Sequence, residues 1–235
     1  MSHDMEKPDD PADLFHAYGE DVNPARSIIT GDVFADVAVT EIDGGTTIRT
    51  VMILEHPCSL RADGINLKPR LHAAEVHPTT SGSWRGNFNR MFLPQPFPRA
   101  ESKAAPHAAF FDAGYYVTPD QLSAATRIAC LSRVGINLLL QRYVKFQSRL
   151  TVPTFEFQNA NYGVYEEADL VEEWCLDREQ DGIKTEDAVA ECISWLRDTS
   201  SGRMPQELLG DPQHRSTVRR MMRNAIKELR RPSQT

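Results

Sequence analysis

The chain has 235 residues, of which 40% are hydrophobic and 25% are charged, and its formal net charge is −7. These values are typical of ordinary soluble globular proteins, and the net negative charge excludes a protein that binds polyanions through its overall charge. No run of about 18 apolar residues is present, which excludes an ordinary transmembrane helix, and no membrane partner is predicted.

The N-terminal segment is rich in proline and carboxylates and contains no hydrophobic signal-peptide core. This composition predicts a flexible tail over residues 1–26, with a short helix over residues 12–18, capped by an aspartate, as the alternative. The four cysteines form no Cys-x-x-Cys pair. Without a signal peptide or a disulfide framework, the sequence indicates a cytoplasmic protein with reduced thiols.

Residues 27–117 have the pattern of a small β-barrel or half-open roll built from about five short strands. Apolar and polar residues alternate from Val33 to Val39, which is the period of a strand with one buried face. A Gly-Gly turn follows, and β-branched and apolar residues then predict the next strand. Strands after that turn are predicted over residues 46–54, 70–76 and 108–117.

Residues 118–235 are predicted to be mainly helical and to pack on the barrel, which makes the fold class α+β. The sequence Thr-Pro-Asp-Gln at 118–121 is typical of a helix start. Helices are predicted through about residue 131 and over 136–150, and a strand or strap over 152–157. Residues 166–187 carry ten carboxylates, whereas the last helix, 216–231, is basic. The basic helix either grips nucleic acid or pairs with the acidic segment.

A dense polar cluster follows the strand predicted over residues 46–54. It comprises Glu55, His56, Cys58, Ser59 and Arg61. A guanidinium beside a hydroxyl and an imidazole can bind a phosphodiester and move protons, as RNA cleavage by transesterification requires. The alternative is a strand-end turn in which the thiol is buried and the serine caps the turn.

The run Thr30-Gly31-Asp32-Val33-Phe34 is followed by Arg49 in a hairpin loop, a hydrophobic strand and a hydroxyl residue. Over about residues 28–117 this order resembles the MazF/PemK family of endoribonuclease toxins. The resemblance implies an SH3-like barrel, a toxin or phage-defence setting, and an active site containing Arg49 and Ser59. His56 is predicted to act there as acid or base. The family's basic residue is usually followed by proline, whereas Thr50 follows Arg49 here.

A second polar stretch, residues 84–90, interleaves aromatic side chains with arginine and asparagine, a composition suited to stacking on unpaired bases. The helix predicted over 136–150 carries basic residues at i, i+3 and i+7, which share one face. Alternatively, the aromatic residues fill the barrel and the basic face pairs with the acidic segment. The predicted nucleic-acid contacts are Arg61, Trp84, Arg85, Asn87, Arg90, Arg142, Lys145 and Arg149.

Two functions remain open from the sequence. The first is a nucleic-acid-binding protein, for RNA more than DNA, that acts as a metal-independent endoribonuclease. The second is a non-catalytic interaction subunit that docks a partner protein, or a second copy of itself, through its charge-segregated helical half. The absence of the family's proline after Arg49 favours the second. Neither a metal site nor a cofactor is predicted, because the histidines do not pair at helical metal-ligand spacing.

Overall fold

The computed structural model describes residues 5–61, 63–80, 84, 88–94, 105–200 and 202–230. The chain divides into two compact units, Met1–Val22 with Ile28–Ala160 and Asn23–Ser27 with Asn161–Thr235. The first unit holds an antiparallel sheet and the second is helical, which confirms the α+β class. The boundary predicted after residue 117 lies inside the first unit, because one further strand and the helix Arg133–Ser148 belong to the same unit as the sheet.

The sheet has seven strands in the order β1-β7-β2-β3-β4-β6-β5. These are β1 (Phe15–Tyr18), β2 (Val33–Thr40), β3 (Thr46–Ile53), β4 (Leu71–Pro78), β5 (Arg90–Leu93), β6 (His107–Val117) and β7 (Thr126–Leu131). Strands β2 and β6 contact each other although β3 and β4 lie between them, so the sheet is strongly curled. It stays open along β1 and β5, and the predicted closure into a barrel is not seen.

Six α-helices are described in the two units. They are α1 (Pro119–Ser123), α2 (Arg133–Ser148), α3 (Thr154–Glu179), α4 (Thr185–Leu196), α5 (Pro205–Leu208) and α6 (Arg215–Leu229). Among the helices described, none combines the length and apolar character that a membrane crossing needs. The segment predicted as a strand or strap over 152–157 instead contains the first turn of α3.

The helix predicted from residue 118 to about 131 is short, and a strand takes its place. Helix α1 begins as predicted with a capping box between Thr118 and Gln121, but Gln121 Nε2 also donates to the carbonyl of Ala38 in β2 at 2.6 Å. The following residues 128–131 are all buried and pair with β1 and β2. An apolar run buried on both faces has no period of two, so the sequence pattern alone does not distinguish it from a helix.

The N-terminal segment is built into the first unit, contrary to the predicted flexible tail, although residues 1–4 lie outside the described part. Leu14 is fully buried, and the next residues form β1 against β7. Ser132, the N-cap of α2, donates its N–H to the Leu14 carbonyl at 2.8 Å. Gly135 in the first turn of α2 touches the same carbonyl, because a Cβ there would lie 2.3 Å from its oxygen.

We expect Gly135→Ala to destabilise the first unit by about 1–3 kcal/mol. The added methyl would collide with the Leu14 carbonyl, and only a shift of the backbone can relieve that collision. Urea unfolding of both proteins measures this difference. Gly210→Ala is the control, because a Cβ there meets no atom nearer than 3.8 Å. Equal stability of Gly135→Ala and the parent protein would contradict the close packing of the N-terminal segment on α2.

The second unit is held together by an apolar core and by ion pairs between α3 and α6. Trp174, Cys192 and Met222 lie in this core. Arg219 pairs with Glu166 and Glu173. Further pairs join Arg215 to Glu166, and Arg230 to Asp177 and Asp181. Of the two sequence alternatives for the basic helix, the structure contains the pairing with the acidic segment.

Candidate functional site

Arg49 lies within β3, with its guanidinium between two carboxylates. Its Nη2 donates to Glu41 Oε1 at 3.0 Å, and its Nε lies 3.7 Å from Glu75 Oε1. Glu75 on β4 is directly opposite Val51, two residues from Arg49. Opposed residues of antiparallel strands, and residues two apart along a strand, point to the same side. We call this side of strands β3, β4, β5 and β6 the Arg49 face.

The two carboxylates beside Arg49 differ in their hydrogen bonding. Glu41 Oε1 accepts from Thr47 Oγ1 at 2.6 Å and from Arg49, and the Tyr115 hydroxyl donates to the same carboxylate at 3.3 Å. These hydrogen bonds, first that of Thr47, lower the pKa of Glu41. Glu75, by contrast, accepts no hydrogen bond from any described residue, and its Oε1 lies 3.7 Å from Arg49 Nε. Glu41 therefore orients the guanidinium, whereas Glu75 keeps lone pairs available for a proton.

The Arg49 face continues toward β5 as a stack of rings and charge. His77, two residues beyond Glu75, stacks on Phe110 of β6 with ring centroids 3.9 Å apart and planes at 2°. Phe110 is opposite both Glu75 and Arg90 in the sheet register, and the Arg90 guanidinium carbon lies 5.6 Å from its ring centroid. The Nδ1 of His77 lies 3.1 Å from the Pro78 carbonyl oxygen. When Nδ1 carries a hydrogen it donates to this carbonyl oxygen, and Nε2 is then the ring nitrogen that remains available to a ligand.

The polar cluster after β3 is organised around Glu55. Its Oε1 accepts from Ser59 Oγ at 2.6 Å and from Lys68 Nζ at 2.9 Å, and its Oε2 accepts from the His72 N–H at 3.4 Å. His56 Nδ1 accepts from the Cys58 N–H at 3.3 Å and so caps the 3₁₀ turn at 57–59. Burial lowers the pKa of His56. The serine and the histidine thus serve the loop's own hydrogen bonding.

The three residues predicted to form one acid–base site lie in two separate groups. Arg49 belongs to the Arg49 face, whereas His56 and Ser59 belong to the loop around Glu55. No hydrogen bond or ion pair in the described parts of the chain joins Arg49 to either of them. Arg49 precedes Ile53, the last residue of β3, by four residues, or about 13 Å of extended chain. Strand β3 therefore separates the guanidinium from the loop that it was predicted to meet.

The Thr30–Phe34 run that carries the family resemblance has a structural role. Asp32 is fully buried, and its Oδ2 accepts from Arg127 Nη1 of β7 at 3.0 Å. Gly31 has a φ of +86° and donates its N–H to Ile53 at 2.8 Å. Its φ favours glycine, and a Cβ there would also lie 2.6 Å from Leu131 Cδ1. The run fastens β2 to its two neighbours, β3 and β7.

The residues predicted to contact nucleic acid are also placed individually. Arg142 is 1% exposed, and its guanidinium carbon lies 4.7 Å from the centroid of the Trp84 ring. Burial lowers the pKa of Arg142 to about 10. It therefore does not belong to the predicted surface ridge. Lys145 donates to the Arg149 carbonyl, Arg149 lies over Phe88, and Arg61 donates to the Ile28 carbonyl. Arg85 and Asn87 lie outside the described residues.

Five residues around Arg49 are not among the predicted site residues, namely Glu41, Glu75, His77, Phe110 and Tyr115. Glu75 and His77 alternate with apolar residues in β4. This alternation of polar and buried positions is the feature of the sequence that could have identified them as site residues. Their proximity to Arg49 depends on the pairing of β3 with β4, which the spacing of residues along the chain does not reveal.

Neither a scan of protein-family models nor a search of curated proteins finds a match to this chain. The MazF/PemK resemblance therefore stays a prediction. No group of three or more His, Cys, Asp or Glu side chains in the described ranges is placed to hold a metal ion.

Proposed function

We propose that the first unit is an endoribonuclease that cleaves single-stranded RNA at the Arg49 face without needing a metal ion. The single observation that carries this proposal is the placement of a guanidinium, a carboxylate and an imidazole on one side of β3 and β4. Cleavage by transesterification needs a base, a cation and an acid, and Glu75, Arg49 and His77 supply these three groups. Arg49 keeps the role given by the resemblance, whereas Glu75 and His77 replace Ser59 and His56.

The proposed reaction uses the ribose 2′-hydroxyl as nucleophile. Glu75 accepts the hydroxyl proton, the 2′-oxygen attacks the adjacent phosphorus, and Arg49 stabilises the negative charge that builds up on the phosphorane oxygens. Protonated His77 donates its Nε2 proton to the departing 5′-oxygen, which leaves a 2′,3′-cyclic phosphate. Residues two apart on a strand are separated by about 7 Å, which leaves room for a phosphodiester between base and acid. DNA lacks the nucleophile and is not a substrate.

The carboxylates beside Arg49 allow its guanidinium to interact more strongly with the transition state than with the bound substrate. In the resting protein Glu41 and Glu75 offset the guanidinium charge. When Glu75 takes the 2′-hydroxyl proton it becomes neutral, and Arg49 is released to interact with the phosphorane. An interaction that is stronger in the transition state than in the ground state accelerates the chemical step.

Basic residues are concentrated in one stretch of the first unit. Residues 61–149 contain twelve lysines and arginines against five aspartates and glutamates, whereas the whole first unit contains 14 against 18, a net charge of −4. The overall charge of the unit therefore does not support an RNA substrate, which rests instead on the groups of the Arg49 face. The stacked rings of His77 and Phe110, with Arg90 above, suit contact with an unpaired base.

The curl of the sheet supports a relation to an SH3-like barrel. We propose that strands β2 to β6 correspond to the SH3-like barrel of the MazF/PemK family, extended by β1 and β7. A toxin or phage-defence role and a cytoplasmic location are proposed from the sequence alone.

The competing proposal is a non-catalytic interaction subunit, and one feature of α6 favours it. Arg220, Arg223 and Lys227 are exposed at i, i+3 and i+7, and no described residue pairs with any of them. Arg215 and Arg219 of α6, and Arg230 just after it, pair with carboxylates of α3. This exposed basic stripe suits an acidic protein partner. Intact RNA after prolonged incubation with the protein would leave this second proposal as the stronger one.

We expect the parent protein to cleave RNA in EDTA, and Glu75→Gln to lower the rate about 10²–10⁴-fold, because the amide cannot accept the 2′-hydroxyl proton. His77→Asn should lower the rate by a similar factor, because it removes the proton donor for the departing oxygen. Glu156→Gln, a change at an exposed carboxylate of α3, is the control and should cleave like the parent protein. Rates close to the parent rate in both Glu75→Gln and His77→Asn would refute the assigned roles.

A further inference from the structure

A cleft of about 580 Å³ lies beside the Arg49 face, between the end of β2 and the junction of β6 with α1. Glu41 and Tyr115 line it and also belong to the group around Arg49. The volume lies in the range of about 300–1,000 Å³ that holds small ligands. Whatever binds in the cleft therefore reaches the group that contains the proposed cleavage residues.

Three further side chains of the cleft have no role in the proposed reaction. Arg70 and Asp112 are exposed, and neither forms a hydrogen bond or an ion pair within the described parts of the chain. Tyr116 is 69% exposed, and its ring centroid lies 5.5 Å from that of His72. The cleft thus presents a cation and a carboxylate that pair with no described residue, and an aromatic ring that is largely exposed.

These three groups match the three parts of a nucleotide. An aromatic ring stacks on a base, a guanidinium binds a phosphate, and a carboxylate accepts hydrogen bonds from the edge of a base. Among the four RNA bases, guanine presents two neighbouring donors, N1–H and the N2 amino group, which a carboxylate accepts together. Adenine and cytosine place an acceptor beside their amino group, and the N3–H of uracil lies between two carbonyls. A carboxylate therefore selects guanine.

We infer that the cleft binds a guanine nucleotide of single-stranded RNA, with the base on Tyr116, its donor edge at Asp112 and a phosphate at Arg70. Its link to cleavage rests on the proposed function, whereas the binding itself does not. Glu41 and Tyr115 line the cleft and connect it to Arg49 through their hydrogen bonds. The protein then cleaves RNA preferentially next to guanosine.

Calorimetric titration with guanosine 3′-monophosphate and adenosine 3′-monophosphate tests this inference without any cleavage step. We expect the parent protein to bind the guanosine nucleotide about tenfold or more tightly, as one bidentate contact supplies. Asp112→Asn should lose that preference while its affinity for the adenosine nucleotide is unchanged. Asp120→Asn, at an exposed aspartate of α1 that does not line the cleft, should retain the preference. Equal binding of both nucleotides by the parent protein, or a preference kept by Asp112→Asn, overturns the inference.

The two proposals fail in different ways. If RNA stays intact while the guanosine preference is present and is lost in Asp112→Asn, the cleft assignment stands and the endoribonuclease proposal falls. If RNA is cleaved with no base preference in the parent protein, the endoribonuclease proposal stands and the guanine assignment falls.

Discussion

Replacing Arg49 with alanine should lower the rate of RNA cleavage by about 10²–10³-fold, the usual cost of removing one group that stabilises transition-state charge. Among the described residues, Arg49 is the cation that pairs with Glu75, with 3.7 Å between Nε and Oε1. The 2′-oxygen and the phosphorane form where Glu75 can reach, so the loss of this guanidinium leaves the new charge without its closest partner. The rate of the chemical step, measured in single turnover with labelled RNA, should show the whole effect.

Two further variants separate the catalytic role of Arg49 from charge and stability. Arg49→Lys keeps one positive charge but lacks the planar set of donors, so it should recover only part of the rate. Arg203→Ala removes an arginine that is 67% exposed and pairs with Glu207, and it should cleave like the parent protein. Arg49 is 39% exposed in its own ion pair, so Arg49→Ala should stay folded. Cleavage within twofold of the parent rate would show that Arg49 is not a catalytic residue.

The second large effect is expected on stability, at the buried ion pair between Asp32 and Arg127. Asp32→Ala should destabilise the first unit by about 3–5 kcal/mol, because it leaves the guanidinium buried without its carboxylate. The Arg127 side chain is 8% exposed and that of Asp32 is fully buried. Asp32 Oδ2 also accepts from the Ile29 N–H at 3.1 Å, and that backbone donor would lose this acceptor as well. Urea unfolding measures the change.

A double-mutant cycle identifies the pair as the source of this loss. Arg127→Ala alone should cost a similar amount, and the double variant should cost clearly less than the two single variants together. Asp120→Ala removes an exposed aspartate from α1 and should change stability by less than about 1 kcal/mol. A loss below about 1 kcal/mol in Asp32→Ala, or additive losses in the cycle, would contradict a buried, coupled pair.

Local patterns in the sequence were enough to predict four strands of the sheet. Strands β2, β3, β4 and β6 carry alternating or β-branched residues between turn residues, and these signals lie within single segments. Strand β7 was missed because its last four residues are all buried, which removes the alternation. Strand β1 has only four residues, too few for a period to show.

The candidate site could be predicted only in part, because its residues meet through strand pairing. Arg49 was predicted as a catalytic residue, but its partners Glu41 and Glu75 come from the strand end before it and the strand after it. The cluster at 55–61 drew attention because its polar residues are neighbours in sequence. Such neighbours also suit a loop that satisfies its own hydrogen bonds, as Ser59 and Glu55 do.

The most direct test is incubation of the purified protein, in EDTA, with a single-stranded RNA and with the same strand carrying 2′-deoxyribose throughout. We predict that the RNA is cleaved to products with 2′,3′-cyclic phosphate ends, and that the deoxy strand stays intact. Intact RNA, or cleavage of the deoxy strand, would contradict transesterification by Glu75, Arg49 and His77.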